Sequence, residues 1–398
     1  MDVELTNPDA DLRTPVSMSR RRPWKVLHLG KFYPPHMGGI ETHLQALCAE
    51  LTKNLDLRVV VASDDRKHRD ELVNGVPVSR VATRMTLAAT PLCPGMVRQI
   101  RNFQADIVHL HLPNPMAVMA YLASGHRGRL VVTYHSDTVR QKILGALFEP
   151  FLDQCLGRAQ AIIATSPDYR RTSTVLSRYR DRCHVIPYGI ELAQFEQPAE
   201  AAVIQVRREL GERLVISVGR LVYYKGFEYL IQAMKEVQGR LVIVGDGPLR
   251  AKLQELARGL GVEDKIIFAG EIQNQQTIPY YHAADVFALA SVARSEAFGI
   301  VQIEAMAAGL PVVNTRLDSG VPFVSLDNQT GLTVPPQDPQ ALAQAINRLL
   351  DDPALRRSFG AAARQRARQE FSLETMTRRT LQLYESVMNN RHAAPVLV

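Results

Sequence analysis

Two carboxylates, Glu296 and Glu304, stand eight positions apart in the segment Ser295-Glu-Ala-Phe-Gly-Ile-Val-Gln-Ile-Glu304. Glu296 precedes a Phe298-Gly299 turn, and Glu304 falls on an apolar, alanine-rich run over residues 300–309 that reads as a buried helix. The start of such a helix offers unpaired backbone N–H groups and a partial positive charge. An anion beside Gly299, Ile300 and Val301 is therefore held without a cationic side chain. A carboxylate on the following turn accepts hydrogen bonds from vicinal hydroxyls, while the earlier one faces whatever group the phosphate carries. That pattern suits a sugar nucleotide. The plainer alternative is a helix capped by an acid with Glu304 on the surface, but a glutamate between Ile303 and Ala305 in so apolar a run is untypical of a solvated face.

Cations for the same diphosphate stand in Ser217-Val-Gly219-Arg220-Leu-Val-Tyr-Tyr-Lys225-Gly226, with Arg220 just past an expected strand and Lys225 just before an expected helix. An arginine fork plus a lysine charge neutralises a leaving group as its bond breaks. Two ordinary surface cations are the competing reading. A second phosphate-approaching loop is Lys31-Phe-Tyr-Pro-Pro-His-Met-Gly38-Gly39-Ile-Glu41, where paired glycines open a helix. Its spacing is not that of a dinucleotide fingerprint, which disfavours a nicotinamide enzyme. His135, at the end of a strand and followed by Ser136 and Asp137, is expected to face the cleft and hydrogen-bond a sugar hydroxyl or a phosphate oxygen. His109 and His111 share one strand face and suggest a metal pair, but no third ligand stands at usable spacing, so they read as strand residues. The Gly245-Asp-Gly-Pro248 turn is a weak nucleotide signal, since Leu249-Arg250 replaces a third glycine.

The elements that position these residues repeat. Short β-branched runs at 25–30, 57–63, 106–111, 130–134 and 161–166 alternate with amphipathic stretches. The pattern then restarts at 214–219, 241–245, 266–270, 286–290 and 311–315, with helices such as 226–237 and 248–260 between. This is a βαβ series, hence two doubly wound parallel sheets in an α/β chain, with the unusual residues at the strands' carboxyl ends where ligands bind. A chain of 398 residues suits two domains of roughly 180 residues each. The expected division is a disordered basic tail over 1–22, a first Rossmann-like domain over 23–190 and a second over 191–372. A last helix with its tail over 373–398 is expected to return toward the first domain.

Residues 1–190 carry 25 Lys and Arg against 17 Asp and Glu, and residues 191–398 carry 22 against 23, so the basic excess lies in the first half. Clusters at Arg20 to Arg22, Arg170-Arg171 and Arg178 to Arg182 favour an anionic partner such as a phospholipid surface or a phosphate-bearing acceptor. Aromatics make up 6% and are not interleaved with these clusters in a stacking pattern, which argues against nucleic acid. No apolar run approaches the roughly 20 residues of a membrane-spanning helix, and no signal-peptide pattern opens the chain, so a cytoplasmic protein is expected. Cys48, Cys93, Cys155 and Cys183 lack paired spacing and read as buried thiols.

Taken in order, the Gly38-Gly39 loop, His135, Arg220 with Lys225, the Gly245 to Pro248 turn and the Glu296/Glu304 pair resemble the retaining glycosyltransferases of family four over residues 24–388. The resemblance implies the GT-B fold, with the acceptor mainly on the first domain and a nucleotide-sugar donor mainly on the second. It implies that Arg220 and Lys225 bind the diphosphate, that Glu304 binds the ribose hydroxyls, and that Glu296 faces the sugar with backbone donors of Phe298, Gly299, Ile300 and Val301. His135 would reach the sugar from the first domain, and Gly39 would approach the phosphates. The hinge Ile186-Pro-Tyr-Gly-Ile-Glu191 departs from the family's common Pro-Asn-Gly-Val-Asp form. No cofactor and no metal is required on this reading, because the cations and the helix end meet the departing charge.

Segments such as Ala290-Ser-Val-Ala-Arg-Ser-Glu296 and Thr330-Gly-Leu-Thr-Val-Pro-Pro336 look like those of bacterial mannosyl- and hexosyltransferases of O-antigen or exopolysaccharide assembly. This implies GDP-mannose or a GDP-deoxyhexose as donor, and a lipid-linked glycan acceptor at the inner face of the cytoplasmic membrane, where the protein would sit peripherally. A UDP-hexose donor, a GT-B-like UDP-N-acetylglucosamine epimerase and a non-catalytic nucleotide-sugar binder are the rival readings.

Overall fold

The computed structural model describes residues 22–36, 38–87, 90–136, 142–272 and 274–389. The β-branched runs form the strands they suggest. In the first half these are β1 (Lys25–Leu29), β2 (Asp56–Ala62), β3 (Arg69–Val73), β4 (Val76–Val81), β5 (Met85–Leu87), β6 (Thr90–Leu92), β7 (Ile107–Leu112), β8 (Arg129–Tyr134), β9 (Ala161–Ala164) and β10 (Cys183–Val185). In the second they are β11 (Leu214–Val218), β12 (Arg240–Val244), β13 (Ile266–Gly270), β14 (Val286–Leu289), β15 (Val312–Thr315) and β16 (Gly331–Val334).

The first sheet has the order β10-β9-β8-β7-β1-β2-β4-β3 and the second β13-β12-β11-β14-β15-β16. Every pairing in them is parallel except the hairpin β3–β4. Helices cover both faces of each sheet, so the central strands are buried along nearly their whole length and mostly apolar, with His28, His109, His111 and Thr133 as buried polar exceptions in the first sheet. The hairpin and the two edge strands β10 and β16 were not expected. The hairpin's signal was present in Asn74-Gly75, whose positive φ values of 49° and 81° suit a tight turn. Three or four residues are too few to reveal an edge strand by periodicity.

Helix Leu373–Met388 starts at the residue expected for the last helix, with Ser372 capping its first turn through a bond from the Thr375 N–H. Its Met376, Leu383, Tyr384 and Val387 enter the core beneath the first sheet, beside Leu44, Leu47 and Leu51 of helix Gly39–Leu51. The crossing is stitched at Ile190, which exchanges backbone hydrogen bonds with Phe371 and Leu373. Gly189 permits it, since a Cβ there would stand 2.5 Å from the Ser372 carbonyl oxygen. All four cysteines are buried free thiols. The tail expected over 1–22 lies outside the described residues except for Arg22, which pairs with Asp106 at 3.0 Å, and Asp137 and residues 390–398 also lie outside them.

Candidate active site

The cations and carboxylates meet at the carboxyl ends of β11 and β14. After β11 the chain passes through Gly219 at φ 151° and closes a short turn, Tyr223–Lys225, against Gly226 at φ 64°. A Cβ on Gly226 would overlap the Ala290 carbonyl, and the Val292 N–H donates to the Tyr224 carbonyl at 2.8 Å. The lysine loop is therefore locked to the loop that carries Glu296. Lys225 Nζ lies 2.6 Å from Glu296 Oε2, both side chains being about nine-tenths buried. Ser291 Oγ donates to the same oxygen at 3.1 Å. Lys225 reaches this position by lying flat over Gly219, where a Cβ would stand 3.3 Å from its Nζ.

Gly299, at φ 75°, starts helix Ile300–Ala307, and no side chain caps that end. A Cβ on Gly299 would press on Gln302 Nε2 and on Leu289, so only glycine makes the turn. Glu304 is half-buried on this helix and accepts from the Tyr281 hydroxyl at 2.7 Å. Burial lifts its carboxyl above the ordinary range, against the Tyr281 hydrogen bond and the Lys225 charge, which pull it down. Lys225 thus lies within electrostatic reach of both glutamates. Arg220 is exposed beside them, and burial raises the neighbouring Tyr224 hydroxyl while Lys225 and Arg220 lower it and Glu296 raises it. The Phe298 ring is core, edge-on to Tyr188 at 4.9 Å, which leaves only its backbone available to a ligand.

The Gly245–Pro248 turn is a buttress. Gly245 and Gly247 lie against the backbone of Gly219 and Leu221, and the Leu221 N–H donates to the Asp246 carbonyl at 2.9 Å, so the turn holds the Arg220 loop in place. From the first domain, the Gly38-Gly39 loop arrives opposite the uncapped helix. A Cβ on Gly39 would stand 3.8 Å from Ile300 Cδ1. Gly38 is fully extended at φ 179° and starts helix Gly39–Leu51.

His135 is placed differently from expectation. It is 1% exposed, with Nδ1 2.6 Å from the Tyr188 hydroxyl and Nε2 3.1 Å from His111 Nδ1. In this structure the imidazole faces inward, and the residue that covers it, Tyr188, is one of the three, with Ile190 and Glu191, at which the hinge departs from the family pattern. Sequence reasoning also passed over Tyr281 and Ser291. Tyr281 sits in no motif and only the fold brings it to Glu304, whereas Ser291 stands five residues before Glu296 in a segment already singled out, without its hydroxyl's partner being legible there.

Residues 37–194 match the model of glycosyltransferase family 4, and residues 200–366 that of glycosyl transferases group 1. The D-rhamnosyltransferase WbpZ of Pseudomonas aeruginosa is 33% identical over 352 residues, covering 87% of this chain and 92% of its own. The chain belongs to glycosyltransferase family 4. An O-antigen chain mannosyltransferase C of Escherichia coli is 29% identical over 92% of this chain and its own full length. Among solved structures, a sucrose-phosphate synthase from Thermosynechococcus elongatus superposes with a TM-score of 0.77 at 25% identity, over 93% of this chain and all of the other. The Anabaena protein HepE, in complex with UDP, gives 0.76 at 21% identity, over 91% of this chain and all of its own. This glycosyltransferase therefore has the GT-B fold, and its paired acids and cations lie between the two sheets' carboxyl ends.

Proposed function

We propose that this glycosyltransferase moves a hexose, mannose or a deoxyhexose such as rhamnose, from its GDP-sugar to a lipid-linked glycan, with retention at the anomeric carbon and without a metal. The observation that carries the reading is the Lys225–Glu296 ion pair beside Glu304 at the start of an uncapped helix, with Gly39 opposite. A diphosphate set there meets Arg220, Lys225 and the N–H groups of Gly299 to Val301, with Glu304 on the ribose hydroxyls and Glu296 on the sugar. As the glycosyl C–O bond breaks, its electron pair stays on the phosphate oxygen, where these groups stabilise it. The acceptor oxygen bonds to the same face, and its proton passes to an oxygen of the departing diphosphate. His135 reaches the sugar once its bond to Tyr188 or His111 is exchanged.

The donor assignment draws support from the relatives, which are named for D-rhamnose, for mannose in O-antigen chains and, at 30% identity, for GDP-mannose. A peripheral place on the inner face of the cytoplasmic membrane draws support from the first domain's charge. Arg178 pairs with Glu149 and Asp153 on helix Lys142–Arg158, which sets the arginine cluster beside the exposed side chains of Leu147 and Phe151. Among the described residues no helix is long and apolar enough to cross a membrane.

Calorimetric titration with GDP, UDP and ADP tests the donor, and binding of UDP alone would overturn GDP. Glu296→Gln is expected to cut turnover by ~100-fold or more with the fold intact. Near-normal transfer by that variant would remove Glu296 from the catalytic set.

A further inference from the structure

The two histidines that read as strand residues are part of a larger cluster. His28 on β1, His109 and His111 on β7, His135 after β8 and His43 on helix Gly39–Leu51 are all buried together. Four of them are bonded in a run. Thr133 Oγ1 lies 2.7 Å from His109 Nε2, and the Tyr384 hydroxyl lies 2.6 Å from His109 Nδ1 and 3.2 Å from His28 Nε2. His28 Nδ1 lies 3.0 Å from His111 Nε2, and the run ends through His135 on Tyr188.

His43 stands apart. Its ring is 7% exposed and centred 5.2 Å from that of His135 and 5.9 Å from that of His111, yet among the described residues neither of its nitrogens has a hydrogen-bond partner. A dry, unpartnered polar group costs about 1–3 kcal/mol, so the position is one where a ligand is favoured. Two sets of three nitrogens lie within 4.8 Å of one another, His28/His109/His111 and His43/His111/His135. The first set is spent on its own hydrogen bonds. The second holds the unpartnered ring.

We propose that His43, His111 and His135 form a binding site for a divalent transition metal of the zinc class, with solvent in the fourth position. Imidazole nitrogen suits such ions, and each ligand must offer a lone pair. One arrangement of protons supplies them while keeping the run's other hydrogen bonds. The Nδ1–H of His135 donates to Tyr188, and the Nε2–H of His111 donates to His28. The Nε2–H of His28 donates to Tyr384, which donates to His109, whose Nε2–H donates to Thr133. His135 Nε2 and His111 Nδ1 then present lone pairs to a common point, 3.1 Å apart. A tetrahedral zinc with bonds of ~2.0–2.1 Å holds its nitrogens about 3.4 Å apart, so two ligands stand close to their places and His43 closes the third. Tyr188 and His28 accept from the ligands' other nitrogens and fix the rings, as outer partners of metal-bound histidines do.

This ion takes no part in transfer. On the reading of His135 proposed above, it would instead withhold that ring from the sugar. The test uses untagged, full-length protein stripped with a chelator and titrated with cobalt(II), whose visible absorption is intense when tetrahedral. One cobalt per chain is expected, displaced by zinc. His43→Phe, which breaks no internal hydrogen bond, should weaken binding by at least ~100-fold while the stripped variant melts no lower than the stripped parent. The double change His36→Ala with His68→Ala removes the exposed pairs with Asp64 and Asp70 and should leave binding as it was. No tetrahedral band at saturating cobalt, or a band that survives His43→Phe and falls with His36 and His68, would overturn the site. Cobalt bound without loss of transfer keeps the site and removes His135 from the catalytic set instead.

Discussion

At the scale of single residues, the two glutamates are solvated differently and should respond differently to neutralisation. Glu296 has a lysine at 2.6 Å, whereas the half-buried Glu304 has a phenol donating to it at 2.7 Å. Burial holds the Glu304 carboxyl above its ordinary range, so the folded chain binds that proton more tightly than the unfolded chain does. The stability it carries is therefore full below the unfolded value and declines as pH rises through the folded one. Glu304→Gln removes the decline while keeping an acceptor for Tyr281. The variant is expected to melt above the parent at about pH 7.5 and to converge with it near about pH 4. It should also bind GDP roughly tenfold more weakly, the loss of one charge-assisted hydrogen bond at ~1.5 kcal/mol. Melting curves across pH and nucleotide calorimetry check both halves, and a variant that melts lower at every pH would refute the burial argument. The carboxylates, the cations and the glycines are legible in the sequence because each interrupts an apolar or regular pattern. His135 is legible as a position but not as an orientation. Nothing in its neighbours along the chain says that Tyr188 and His111 take both its nitrogens.

At the scale of elements, the site depends on loops whose glycines do different jobs. Gly226 and Gly261 have nearly the same left-handed backbone, φ 64° and 66°, but a Cβ on Gly226 would overlap the Ala290 carbonyl whereas nothing lies within 4 Å of one on Gly261. Alanine at either position pays about 1–2 kcal/mol for the conformation alone. Gly261→Ala is therefore expected to lose about that much stability and to keep full nucleotide binding. Gly226→Ala must also separate the lysine loop from β14, so it should melt lower still and lose nucleotide binding with Lys225 displaced from Glu296. Equal losses in the two variants would show that the contact with Ala290 carries nothing. The parallel strands are readable from their β-branched runs, since a strand buried on both faces has few polar positions to blur it. The short edges β10 and β16 lack that length, and the exposed β3 has charged residues along most of it.

At the scale of the whole molecule, the question is what makes two sheets one enzyme. Helix Leu373–Met388 begins beside the hinge at Ile190 and ends in the core beneath the first sheet, so the last segment of the chain completes the first domain. Its amphipathic period shows in the sequence, but the face it covers does not, because that face belongs to residues more than 300 positions away, such as Leu44 and Leu47. Burying Met376, Leu383, Tyr384 and Val387 is worth roughly 1.5–3 kcal/mol each, which together rivals the ~5–15 kcal/mol that holds an ordinary domain folded. A chain ended at Ser372 is therefore expected to lose its first domain while the second stays folded. The proposed boundaries near 190 and 372 then make a specific claim. Limited proteolysis of the shortened protein should leave a resistant fragment starting close to residue 191, and that fragment should still bind GDP through Arg220, Lys225 and Glu304. Tyr384→Phe in the full chain is the milder companion, removing the hydroxyl from His109 and His28 but not the ring, with an expected loss of about 1–3 kcal/mol in thermal unfolding and no change in nucleotide affinity. A shortened chain whose first domain resists protease as well as the parent's would mean that the returning helix only decorates the surface it covers.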